Sequence, residues 1–409
     1  MFKQYFSLKF IRIYFIIYYK GSFVNIKILQ LLLFLPEDSC GMDRFFMKTL
    51  FLGDIAPCKN GVDLFKSGDL DRVFGDVISI TEGRDLVCAN LECALTERGE
   101  KIKKFGPNIK APTKTAEVLF DFGVNLVGLS NNHSFDMGVE GIRDTMAALD
   151  DAGVDYTGFG ENYEDSRKNY IYEKDGERIA IIAVCEHEYS YALENRMGAR
   201  PYDEYDTIED IREAKKICDR VVVMYHGGKE FSQYPSPRLY RACHAMVRAG
   251  ADLVLCQHSH CIGCYEKYME GHILYGQGNF HFLDPDSHDI WYTELCVEYD
   301  TKTNDISFIP LRTTDDYISL AKGEDKDSIM SEFEKRNEEL RTGKWRDGWH
   351  KFCESMKERY YEPIEKALIP ADDDRWYRYF GHMLDCEAHT DVWRELFPSW
   401  NLTNCLDEE

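Results

Sequence analysis

The sequence predicts an α/β domain in which two β-sheets pack together beneath outer helices, followed by a helical C-terminal region. Three observations carry this expectation. Apolar runs of strand length alternate with helix-length amphipathic stretches through the first half of the chain, the pattern of β-α-β units. Later strand-like runs follow one another with no helix between them. Acidic, amide and imidazole side chains recur just past strand ends, where open α/β sheets place their sites.

Residues 48–52 form a short strand running into Gly53-Asp54, and residues 85–89 a second one ending in Asn90-Leu91-Glu92. Residues 113–122 set Val118, Leu119 and Phe122 on one helical face and stop at Gly123, a C-terminal cap residue. A strand over 124–129 breaks at Ser130-Asn131-Asn132-His133, and a helix over 139–152 ends at Gly153 before a strand at 154–157. The stretches 178–185 and 220–225 are apolar and β-branched, as strands buried on both faces are. A helix over 238–249 closes at Gly250, and residues 251–256 feed His258-Ser259-His260. Strands at 272–275, 292–299 and 306–311 complete the sheets, and helices at 325–341 and 345–368 follow before Pro370 and Asp372 to Asp374 break the pattern.

With 409 residues, 44% hydrophobic and 13% aromatic, the chain can bury one large α/β domain and an appendage. Its net charge of -23 argues against nucleic acid as a partner, because phosphate contacts need clustered Lys and Arg. An anionic substrate is also repelled unless bound divalent cations reverse the sign locally. The 14 cysteines are irregularly spaced, and Cys88, Cys185, Cys218, Cys256 and Cys296 read as small buried residues of a reducing compartment. Cys261 and Cys264 form a C-x-x-C that reads as packing, with a redox pair or half of a thiolate zinc site as the alternatives.

Three regions are expected: an apolar basic leader at 1–41, an α/β domain at 48–315 and a helical appendage at 316–409. The leader has five Lys or Arg against two acids, and Lys20 and Lys27 interrupt its apolar stretch. It reads as an over-extended start, which makes the protein cytoplasmic from Met42 or Met47, or as a membrane anchor. The appendage reads as a cap on the main domain, with a partner-binding or lid role as the alternative. Asn401-Leu402-Thr403 matches a glycosylation sequon by pattern alone.

Taken singly, Asp54 is equally a turn cap, Glu92 a surface acid and His133 a structural histidine. His226 stands out because Gly227-Gly228 lets backbone approach closely. Five strand ends carrying metal-compatible groups together point to a metal site. Of the other histidines, His244 on a helix and His272 in a turn read as core or surface, whereas His187 and His281 near strand ends come within reach of the site.

These residues resemble a known family. Gly53-Asp54, Asn90-Leu91-Glu92, Asn131-Asn132-His133 with Asp136 and Gly138, His226-Gly227-Gly228 with Glu230, His258-Ser259-His260 and Gly278-Asn279-Phe280 are similar, in order, to the motif series of the CapA family of poly-gamma-glutamate capsule biosynthesis proteins. The resemblance spans residues 48–311. That family is similar in turn to the calcineurin-like metallophosphoesterases, which implies a four-layer α/β/β/α sandwich and one or two divalent ions, Mn, Fe or Zn. By resemblance, Asp54 and His260 hold one metal, Asn132, His226 and His258 the other, and Glu92 bridges them. His133 is then the catalytic histidine, with Asn90, Asp136, Glu230 and Asn279 facing substrate or supporting the ligands. Two departures matter: Ala56 stands where the phosphoesterases usually have a ligand histidine, and Glu92 replaces an Asp, so the metal count stays open. The implied activity is hydrolysis of a phosphoester or amide bond in an anionic polymer, envelope molecule or small glutamyl compound. The alternative is a non-catalytic accessory subunit of polyglutamate synthesis or export, working with polyglutamate synthase components; the chain has no P-loop with which to activate carboxylates by itself.

Overall fold

The computed structural model describes residues 6–11, 15–19, 22–26, 31–36, 47–186, 188–284, 287, 289–369 and 374–397. Met1–Phe45 form one unit and Phe46–Glu409 another. In the first, Phe6–Ile11 pairs antiparallel with Leu31–Pro36, and Phe15–Tyr19 with Ser22–Ile26. The leader expectation falls partly on residues outside this description. Among the described residues no helix is long and apolar enough to cross a membrane.

In the second unit one sheet is built on β1 (Lys48–Ile55), β2 (Leu86–Leu91), β3 (Leu126–Gly128) and β4 (Asp155–Thr157), all parallel. The other contains β5 (Tyr170–Lys174), β6 (Glu177–Cys185), β7 (Arg220–His226), β8 (Leu253–Gln257), β9 (Tyr265–Tyr268) and β10 (Gly271–Leu274), in the order β5-β6-β7-β8-β10-β9. The first sheet is completed by β11 (Asn279–His281), which runs parallel beside the end of β1, and by antiparallel β12 (Thr293–Asp300), β13 (Asp305–Thr313) and β14 (Ile318–Leu320).

Three apolar interfaces define four layers. Because side chains alternate across a strand, Ile179, Ile181 and Ala183 of β6 face Phe51, Cys88 and Leu126 of the other sheet. Their neighbours Ala180, Ile182 and Val184 face α5 (Glu204–Ile217) and α6 (Pro237–Ala249) through Ile211, Leu239 and Met246. On the far side, Leu50, Leu52 and Val87 pack on Phe65, Phe74, Leu119, Phe122 and Ile142. These come from α1 (Gly61–Ser67), α2 (Leu70–Phe74), α3 (Lys114–Phe122) and α4 (Gly138–Ala152). The result is a four-layer α/β/β/α sandwich.

Beyond the sheets, α7 (Gly323–Arg341), α8 (Trp345–Ser355), α9 (Lys357–Ala367), α10 (Arg375–Asp385) and α11 (Glu387–Leu396) form the helical appendage. Trp349, Tyr360, Met383 and Val392 make a core of its own. The single helix expected over 345–368 is interrupted at Met356, whose N–H turns to the Cys353 carbonyl three residues back at 3.0 Å. His272, expected in a turn, instead lies within β10, where it contacts the Tyr265 hydroxyl at 2.8 Å and the Asn304 carbonyl at 2.7 Å.

Candidate metal centre

The parallel strands of both sheets end at one edge of the sandwich. From the first sheet, β1 delivers Asp54, β2 delivers Asn90 with Glu92 just beyond, β3 leads into Asn132 and His133, and β11 begins with Asn279. From the second, β7 ends in His226, and β8 leads into His258 and His260. The sheets are joined here by side chains. The Asn90 amide donates to Asp54 Oδ1 at 2.8 Å and meets His226 Nδ1 at 3.0 Å, while the His258 N–H donates to Asp54 Oδ2 at 3.0 Å.

Two triads of potential ligands overlap. Glu92, His226 and His258 bring ligand atoms within 4.8 Å of one another, as do Asp54, Glu92 and His260, so Glu92 is shared. Asn132 Oδ1 lies 2.8 Å from His226 Nε2, and Glu92 Oε1 lies 3.3 Å from the same nitrogen. Asn279 Oδ1 meets His260 Nδ1 at 2.8 Å, the kind of outer contact that orients a ligand imidazole. Both Glu92 oxygens are buried without a well-aligned hydrogen-bond donor, a costly state for a carboxylate that coordinated cations would relieve. His258 and His260 both hold positive φ, at 82° and 54°, which non-glycine residues adopt only where surrounding structure compels it.

Electrostatics point the same way. Burial, then the neighbouring Glu92, raises the Asp54 carboxyl above its usual range. Burial acts on Glu92 too, but His226 and His260 outweigh it and hold that carboxyl low. Burial followed by His226 keeps His258 neutral, the form in which imidazole binds metal. An oxygen and imidazole set of this composition fits divalent transition ions.

Beside the triads, Asp136 Oδ2 lies 2.6 Å from His133 Nδ1 and also accepts from the Ile109 N–H at 2.7 Å. Lys104, which sequence reasoning missed, pairs with the other Asp136 oxygen, donates to the Asn132 carbonyl at 3.2 Å and stands 3.2 Å from His133 Nδ1. It lies in a loop 32 residues before Asp136, and no local pattern marks it.

His133, His258 and His260 open on a cavity of about 600 Å³ whose lining includes Lys59, Lys101, Lys104, Lys110, Lys229 and Arg359 against Glu230 and Asp284. The local sign is thus opposite to that of the chain. Glu230 lines this space, paired with Lys229 at 3.3 Å, and belongs to neither triad. The facing wall comes from the appendage, through Arg359, Tyr379, His382 and His389. The sequence shows no catalytic pattern there, yet these helices complete the site.

Glu186 was also missed. It accepts from Gly228 N–H at 2.7 Å and takes the Tyr225 hydroxyl and Arg238 on its other oxygen. Gly227 serves this carboxylate, since a Cβ there would lie 2.4 Å from Glu186 Oε2. Among the remaining histidines, His281 packs on Phe65 with Nε2 3.2 Å from the Val73 carbonyl, and His244 pairs with Glu266 at 2.8 Å; His187 lies outside the described residues. Cys261 and Cys264 are buried thiols pushed up to about 12 by desolvation, and neither joins a metal-competent group among the described residues.

A model of the bacterial capsule synthesis protein PGA_cap family matches residues 48–283. The chain belongs to this family. It is 32% identical over 241 residues to the capsule biosynthesis protein CapA of Bacillus anthracis, covering 56% of this chain and 58% of that protein. It is 30% identical over 236 residues to the PGA biosynthesis protein CapA of Bacillus subtilis (strain 168), covering 57% and 62%. The chain therefore spans less than two thirds of the length of these curated relatives. Among solved structures, a hypothetical protein from Thermus thermophilus is similar at 15% identity and a TM-score of 0.42, over 67% of this chain and 99% of that one. Both triads and the His133 pair lie inside the PGA_cap segment, whereas Arg359, Tyr379, His382 and His389 lie beyond it.

Proposed function

We propose that this PGA_cap chain is a metal-dependent hydrolase of an anionic substrate, cleaving a phosphoester or an amide bond in a glutamyl polymer or envelope molecule. The observation that carries this reading is the buried Glu92 carboxylate, common to both triads and adjacent to a histidine–aspartate pair at the floor of a basic cavity. Asp54, Glu92 and His260 would hold one divalent ion, and Glu92, Asn132, His226 and His258 the other, with Mn, Fe or Zn suited to the donor set. When bound, such ions supply Lewis-acid chemistry and ease deprotonation of water.

The chain's own groups do the rest. Lys101, Lys229 and Arg359 attract the substrate's negative charge, which the chain as a whole repels. His133, steadied by Asp136, gives a proton to the departing group. Synthase components of polyglutamate assembly are the partners this reading favours, in line with the names borne by the CapA relatives.

The test is hydrolysis of a generic phosphodiester and of poly-gamma-glutamate by full-length protein supplied with Mn²⁺, beside elemental analysis. His133→Ala is expected to lower turnover at least ~100-fold with metal content unchanged. Equal turnover in the two proteins would sink the catalytic role, and an inert wild type that co-purifies with a synthase would establish the accessory reading instead.

A further inference from the structure

A second group of metal-competent side chains stands on the appendage, outside the segment matched by the family. His382 lies in the last turn of α10, Cys386 at the break between α10 and α11, and His389 in the first turn of α11. One ligand atom from each lies within 4.8 Å of the others. The break produces the convergence: Cys386 leaves helical geometry at φ -85° and ψ 120°, yet its N–H still donates to the His382 carbonyl at 2.9 Å and its own carbonyl accepts from the His389 N–H at 3.0 Å. Cys386 and His389 are buried, and the two imidazoles stand 4.8 Å apart. The buried Tyr360 hydroxyl sits 2.6 Å from His389 Nδ1 and fixes that ring.

We propose that His382, Cys386 and His389 bind a zinc ion, at a site separate from the Asp54–Glu92 centre and open to the same cavity. Two imidazoles and a thiolate make a borderline-soft donor set that selects zinc over hard cations, whereas the triads at the strand ends contain no sulfur. Tyr360 acts as the outer partner that orients a ligand histidine, assigning metal binding to Nε2 of His389. All three side chains line the cavity, so three protein ligands leave a fourth position for water or an anionic group of the substrate. A ligand in the cavity is then held between cations on opposite walls. The ion also ties α10 to α11, fixing the wall they form. Cys386 binds as the thiolate, so loading releases its proton to solvent and strengthens with rising pH.

Cobalt substitution tests this in the full-length protein, stripped with chelator and reloaded with Co²⁺. A cobalt–thiolate bond gives a charge-transfer band in the near ultraviolet that oxygen and imidazole ligands do not. The band is expected in the wild type and in His258→Ala, and it is expected to vanish in Cys386→Ser together with one equivalent of tightly bound metal. His382→Ala, at a less buried position, gives a second reading if Cys386→Ser fails to fold: it should also lose one equivalent. A folded, cobalt-saturated wild type without the band, a band that survives Cys386→Ser, or unchanged stoichiometry in His382→Ala would each overturn the proposal.

Discussion

His133 Nδ1 lies 2.6 Å from the buried carboxylate of Asp136, and Lys104 closes the group from the other side. The imidazole is held below its usual pKa, first by burial and then by the Lys104 ammonium, with Asp136 pulling the other way. Under the proposed mechanism His133 is the general acid and must be protonated, so activity is expected to fall as pH rises through that pKa. Lys104→Met removes one depressing charge, and the alkaline limb of the kcat profile should move to higher pH. Asp136→Asn should move it lower and reduce turnover ~10-fold or more. Profiles that coincide with wild type in both variants would remove His133 from proton transfer.

Glu294 is buried at the start of β12, beside β1, where it accepts the Gly53 N–H at 3.1 Å. Burial, despite that hydrogen bond, pushes its carboxyl from 4.5 up to about 8. A folded value above the unfolded one favours the protonated form, so its stabilising contribution is full below about pH 4.5 and is lost as pH rises through about 8. Glu294→Gln should stay neutral and gain on wild type across that window, by roughly 1.4 kcal/mol per pH unit at most. Urea unfolding at several pH values between those limits measures it, and parallel curves would refute the assignment.

Backbone crowding around Asp54 gives a third expectation. A Cβ on Gly53 would lie 2.2 Å from the Gly278 carbonyl oxygen, and neither backbone can yield without moving β1 against β11. Gly53→Ala should therefore cost about 3 kcal/mol in denaturant unfolding and weaken metal binding through Asp54. A loss under 0.5 kcal/mol, on the order of an ordinary surface change, would show that the strand shifts freely.

Arg238 connects the sandwich to the appendage by bridging Glu186 and Asp391, whose side chains are almost wholly buried. Removing the cation in Arg238→Met leaves two buried carboxylates facing each other, a change that costs roughly 3–5 kcal/mol in comparable buried pairs. Limited proteolysis should then cut first within residues 345–397, and KM should rise more than kcat falls. Wild-type resistance to protease would mean that the appendage is held by its apolar contacts alone.

The cluster of candidate ligands was legible because its members sit at or just past strand ends, so the alternation of apolar runs with Asp54, Glu92, His226 and His258 marks them one at a time. What the sequence hid depends on partners far away along the chain. Arg238 meets Asp391 across 153 residues, and Lys104 finds His133 from a loop without periodicity. The first helices, Gly61–Ser67 and Leu70–Phe74, were missed because each is too short to display an amphipathic repeat. His382, Cys386 and His389 were passed over for a related reason: their grouping relies on a helix break that periodicity does not register.

The candidate ligands at the strand ends come from residues 54–260, whereas residues 359–389 supply another part of the cavity lining. Reshaping that part leaves the strand ends where they are. Under the proposed reading, the lining contributed by residues 359–389 can be re-engineered apart from the strand-end cluster, while Lys101 and Lys229 keep the rest of substrate admission in the same stretch as that cluster.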